Sequence, residues 1–139
     1  MITELFVPRG SLSDFLAAAR AHLRTSNADV IYGTVRLIEP DTESSLPWAR
    51  EDWACIIFNL HVDHEPQGVD RARAAFRGLI DCALGCHGSY YLTYHRWATK
   101  SQVLTAHPAL PKVLAAKMRF DPDETFQSDW YRHHRELIA

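Results

Sequence analysis

Three stretches carry side chains that could recognise a ligand. They are Tyr32-Gly33-Thr34-Val35-Arg36, Ile57-Phe58-Asn59-Leu60-His61 and Tyr91-Leu92-Thr93-Tyr94-His95. Each lies in a run rich in β-branched and aromatic residues, which fit a pleated surface. Side chains alternate across a strand. Thr34 with Arg36, Asn59 with His61, and Thr93 with His95 therefore each share a face of their own segment. Hydroxyl, amide, imidazole and guanidinium groups on one surface, mixed with Tyr32, Ile57 and Tyr91, suit a ligand or a domain contact better than plain solvated surface.

These stretches need a scaffold, and the intervening chain predicts one. Ile2 to Val7 reads as a strand, stopped by Pro8-Arg9-Gly10. Ser11 or Ser13 can cap a helix with Leu12, Phe15, Leu16, Ala19 and Leu23 on one stripe. Val30 to Ile38 is a second strand, Ala54 to Val62 a third, and Glu39 to Asp52 a polar loop between them. A helix from Val69 to Leu84 follows, burying Val69, Ala72, Phe76, Leu79, Ile80 and Ala83. Gly85 and Gly88 end it, and a strand over Ser89 to Arg96 comes next.

The order β-α-β-β-α-β predicts an α+β, ferredoxin-like antiparallel sheet over residues 1–99, with both helices on one face. Ile31, Val35, Leu37, Ile56, Phe58, Leu60 and Leu92 are the expected helix-facing side chains. Thr34, Arg36, Asn59, His61, Thr93 and His95 are expected on the open face. Residues 100–139 read as a helical extension, with helices over Ser101–His107 and Pro111–Phe120. Its aromatic tail runs from Glu124 to Tyr131.

Composition narrows the function. One domain is expected for 139 residues, and 47% hydrophobic content argues against disorder. Fifteen basic against seventeen acidic residues leave a net charge of -2, with no footprint for nucleic acid or an anionic membrane. No apolar run reaches bilayer length and no signal-peptide core is visible. Three cysteines without framework spacing suit a reducing cytoplasm.

Other clusters fare worse. His61 and His64 fall on opposite strand faces, so no metal is expected. Cys82, Cys86 and His87 miss the haem-attachment spacing by one residue and read as packed, inert groups. Asp41 and Glu43 read as loop solvation. There is no G-x-G-x-x-G and no P-loop.

The segment GSYYLTYHRWATKSQVLTAHPALPKVLAAKMRFDPDETFQSDW, Gly88 to Trp130, resembles the end of FAD-linked oxidases of the vanillyl-alcohol-oxidase type, which include sugar-lactone and alditol oxidases. Pro111, Lys117, Asp121, Pro122 and Phe126 match a "P…K…DP…F" run. ELFVPRGSLSDFL resembles the first strand and helix of that family's cap domain. The resemblance implies the substrate-binding cap of a FAD-dependent oxidoreductase acting on a sugar, lactone, alditol or hydroxy acid. It implies that FAD is held mainly by a domain or subunit outside this chain, since the family's Gly-rich flavin domain has no counterpart here. The extension would dock on that partner.

The resemblance also implies roles. Thr34 and Arg36 match second-strand substrate contacts, and Asn59 a third-strand position. Thr93, Tyr94 or His95 match a region where relatives carry a lysine or histidine near the flavin; this chain has no lysine there. His95 is the expected base and Arg36 the group stabilising a developing alkoxide. Thr34, Asn59, His61, Tyr91, Thr93 and Tyr94 are the expected substrate contacts. The alternative is a stand-alone module that dimerises through its open face and binds a small ligand without chemistry.

Overall fold

The computed structural model describes all 139 residues. Four strands are β1 (Ile2–Pro8), β2 (Asp29–Ile38), β3 (Trp53–His61) and β4 (Ser89–Tyr90). They form one antiparallel sheet in the order β2-β3-β1-β4. Helix α1 (Leu12–Thr25) joins β1 to β2, and α2 (Pro66–Gly85) joins β3 to β4. The chain is thus α+β, with α3 (Lys100–Ala106), α4 (Leu110–Phe120) and α5 (Asp129–Ile138) completing it.

The apolar alternation of β1 and β3 decides where the helices go. Leu5, Val7, Ala54, Ile56, Phe58 and Leu60 share one buried cluster with Phe15, Ala19 and Leu23 of α1 and with Phe76, Leu79 and Ile80 of α2. Val103, Ala106, Leu110, Leu114 and Tyr131 belong to the same cluster, so the C-terminal helices extend the core. A smaller cluster, Phe6, Ala49, Trp53, Cys55 and Ile57, lies on the other face of the sheet, where Ala49 of the long loop caps one end. Phe6 stacks on Trp53 at 5.9 Å and meets Trp48 edge-on at 6.0 Å.

Helix α3 starts with a reciprocal cap. The Gln102 backbone N–H donates to Thr99 Oγ1 (3.2 Å), and the Thr99 N–H donates to Gln102 Oε1 (3.0 Å). Gln102 Nε2 also donates to the Arg77 carbonyl (2.9 Å) and to Asp81 (2.6 Å), tying the extension to α2. We expect Thr99→Ala to cost about 1 kcal/mol, measured as a lower denaturant midpoint with an unchanged slope.

Two sequence expectations are corrected here. Ile31, Val35 and Leu37 are not buried against the helices: every residue of β2 is exposed except half-buried Ile38, and Leu37 keeps 65% of its surface. β2 is an edge strand, and a register shift between Val30 and Tyr32 makes Val30, not Ile31, the partner of Leu60. Leucine 92 is buried as expected.

The second correction is the last strand. It pairs only over Ser89 and Tyr90, and the chain then turns through residues 92–94. Strand alternation therefore stops where the site prediction relied on it. Helix α5 was not anticipated at all; its start is capped by Ser128 Oγ, which accepts from the Tyr131 N–H at 3.1 Å.

Candidate functional site

The face of the sheet away from α1 and α2 is built in rows. Phe6, Cys55 and Arg36 form one row, and Glu4, Ile57 and Thr34 the next. Ile2, Asn59 and Tyr32 form the third. Trp48 and Ala49 of the long loop pack on the end near Phe6 and Trp53, and Glu4 and Ile57 are buried as well, so the exposed part is the β2 side, Tyr32, Thr34 and Arg36, with half-buried Asn59 and exposed Ile2.

Thr34 and Arg36 are exposed on this face and Asn59 is half-buried. The Arg36 guanidinium has no ion-pair partner among the salt bridges of the structure. His61 sits at the end of β3, exposed, with Nδ1 3.3 Å from Asp29. Tyr91 is half-buried against Phe6 at 6.5 Å, edge-on. Its backbone N–H still donates to the Glu4 carbonyl (2.9 Å), one step beyond the regular pairing.

The turn after β4 brings Tyr94 onto this face, opposite to what alternation predicts. Its hydroxyl donates to Glu4 Oε1 at 2.9 Å, and its ring lies 5.0 Å from Tyr91. Glu4 is only 8% exposed. Its other oxygen accepts a weak contact from the Cys55 thiol at 3.6 Å. The Cys55 thiol is pushed up to about 12, first by burial and then by the Glu4 carboxyl, with Arg36 opposing. The Tyr94 hydroxyl is raised by its bond to Glu4 and by desolvation. Cys55 is therefore no nucleophile, because only a thiolate attacks and this one does not form near neutrality.

Glu4 is the member of this group that sequence reasoning missed. The signal was present: a carboxylate at an alternate position of an otherwise apolar strand, ITELFV, is costly unless something bonds it.

His95 is displaced from the site, which corrects its assignment as the base. It is 9% exposed, in a three-ring cluster with Phe76 (4.7 Å) and Trp97 (5.1 Å), whose own rings lie 5.4 Å apart. Neither ring nitrogen has a hydrogen-bond partner. Desolvation lowers it to about 4, so it is neutral and sealed from substrate at pH 7. Thr93 is exposed and lines a cleft of about 160 Å³ with Trp48, Tyr91, His107 and Trp130. His107 is buried there, and its Nε2–H donates to the Tyr90 carbonyl at 3.0 Å.

The structure thus brings together Thr34, Arg36, Asn59, Tyr91 and Tyr94, adds Glu4, leaves His61 at the rim and excludes His95. No group of three or more His, Cys, Asp or Glu side chains is arranged to hold a metal ion. No helix is long and apolar enough to cross a membrane.

The DP motif of the tail is well ordered locally. Asp121 accepts from Lys117 Nζ (2.5 Å) and from the N–H groups of Thr125 and Phe126. These bonds hold the Asp121 carboxyl below its usual range, with Lys117 contributing most. The loop presents Phe120 and Phe126, each 78% exposed. A scan against protein-family models and a search of curated proteins found no match.

Proposed function

We propose that this chain is the substrate-binding cap of a FAD-dependent oxidoreductase that oxidises a hydroxyl-bearing substrate, a sugar, lactone, alditol or hydroxy acid. The observation that carries the reading is one sheet face that presents Arg36, Thr34 and Asn59 and, two strands from Arg36 and Thr34, a buried carboxyl bonded by Tyr94. The strand order and the shared core of α1 and α2 support a ferredoxin-like βαββαβ cap, the architecture the resemblance implies. Exposed Phe120 and Phe126, on the motif that carries the resemblance, support a tail that docks on a flavin domain.

The N-termini of α1 and α2 do not suit the cofactor's pyrophosphate. Asp14 stands in the first turn of α1, and Glu65 immediately precedes α2. Carboxylates at helix N-termini oppose a phosphate there. In this reading FAD is held by another domain or subunit, and when bound it accepts the hydride from the substrate carbon.

The chain's residues bind and orient the substrate. The Arg36 guanidinium donates to the substrate oxygen and offsets negative charge as its proton leaves. Thr34 and Asn59 hydrogen-bond neighbouring hydroxyls. The Tyr94 oxygen, already donating its own proton to Glu4, accepts from a substrate hydroxyl, and Glu4 behind it takes the place assigned to His95. Joining the chain to a flavin-binding domain and following flavin bleaching by polyols tests this. Arg36→Ala should lower kcat/KM by about 100-fold with flavin content unchanged. Unchanged turnover would remove Arg36 from the site.

A further inference from the structure

The outer edge of β2 is a second surface, separate from the open face. β2 hydrogen-bonds only to β3. Soluble proteins protect such edges with Pro, Lys, inward charges or bulges, because a free row of N–H and C=O groups templates another strand. Here the one bulge lies at the start, between Val30 and Tyr32, and Tyr32 to Leu37 contain neither Pro nor Lys. Six extended residues offer about 20 Å of pairing edge.

The helix-side flank of the same edge is apolar. Val30, Val35 and Leu37 are exposed there, because α1 stops short of covering β2. At the Val30 end lies a groove of about 510 Å³, floored by Phe58 and walled by Leu16, Leu23 and Val30. Arg20 and Arg24 of α1 rim it, and neither forms an ion pair or a side-chain hydrogen bond. The only acid on β2 is Asp29, which faces His61. Two-fold pairing with a second copy would set this end, with Arg20 and Arg24, against the copy's Leu37 end, where β2 carries no acid to meet them. An acidic strand would meet complementary charge.

We propose that the β2 edge and its groove take an added strand from an acidic partner segment in which apolar residues alternate with Asp or Glu. Its apolar side chains enter the groove beside Val30 and Leu16 and continue along exposed Val35 on the same flank, and acids at the Val30 end reach Arg20 and Arg24. Main-chain bonds supply affinity and the alternation supplies register. The inference does not rest on the oxidoreductase reading, since no open-face group takes part.

A fluorescent heptapeptide, Glu-Val-Glu-Val-Glu-Leu-Glu, and its lysine-for-glutamate counterpart test it by anisotropy with the full chain. The acidic peptide should bind, more weakly as salt rises, and the basic one should not. Arg20→Glu with Arg24→Glu should weaken the acidic peptide about tenfold and admit the basic one. Val35→Glu should abolish binding of the acidic peptide. All three sites lie at the surface, and circular dichroism checks that each variant is folded. Equal binding of both peptides, binding of neither, or a concentration-dependent dimer that Leu37→Glu dissolves would each overturn the proposal.

Discussion

Between pH 7 and pH 4 the protein should lose stability steeply, and His95 and His107 should account for much of the loss. Burial lowers both to about 4, from an ordinary value of 6.5. For His107 the bond to the Tyr90 carbonyl works against burial without cancelling it. The folded state keeps both rings neutral while the unfolded chain protonates them, so the unfolded state binds more protons throughout this window. Stability is complete above pH 6.5 and falls as pH drops toward 4. A shift of this size corresponds to about 3 kcal/mol for each histidine at the low end. Denaturant titrations at pH 7.5, 6, 5 and 4.5 should give midpoints that fall with pH at constant slope.

His95→Phe separates the two contributions. An aromatic ring can pack against Phe76 and Trp97 as the imidazole does, and the replacement removes two buried nitrogens that lack partners. This variant should be at least as stable as the wild type at pH 7 and visibly less acid-sensitive. A profile as steep as the parent's would mean that His95 is not the acid-labile group. Because the His95 ring packs on Phe76 and Trp97 and not on the open face, the same variant should leave any ligand binding there unchanged.

Gly88→Ala should be the most damaging small substitution in the chain. A Cβ at Gly88 would lie 2.0 Å from the Phe6 carbonyl oxygen and 2.8 Å from that of Ala83. Both neighbours are backbone, so neither can rotate away. The Gly88 N–H donates to the Ala83 carbonyl at 2.8 Å, closing α2, and the next residue, Ser89, pairs with Phe6. Accommodating the methyl group means separating β4 from β1 or unwinding the end of α2. We expect a loss of roughly 3 kcal/mol or more.

The consequence for the site is specific. Tyr91 and Tyr94 reach the open face only because β4 delivers the turn that follows it, so a displaced β4 takes the Tyr94–Glu4 bond with it. Gly10→Ala is the control, since nothing lies within 4 Å of a Cβ there. It should change stability by no more than about 0.5 kcal/mol. Equal stability of the two variants would show that the approach of Gly88 to Phe6 is not a constraint.

Local pattern alone determined the order of the elements through α2, the apolar face of β3 and most of the stripes of α1 and α2, though Leu16, expected on the α1 stripe, is 39% exposed where α1 overhangs the uncovered β2. These follow from periodicity, which needs no knowledge of neighbours: Phe15, Ala19 and Leu23, like Ile56, Phe58 and Leu60, are buried where their spacing puts them. It also determined the placement of Thr34, Arg36 and Asn59 on the face away from the helices, because alternation holds along a continuous strand. Only the tertiary structure decided the fate of SYYLTYHR. Its residues suit a strand, but β4 pairs with β1 for two residues and then yields to packing: His95 is drawn under Trp97 and Phe76, and Tyr94 to the carboxyl of Glu4. The exposure of Val35 and Leu37 was likewise settled by position, since a strand at the sheet edge lies beyond the reach of α1 whatever its hydrophobicity.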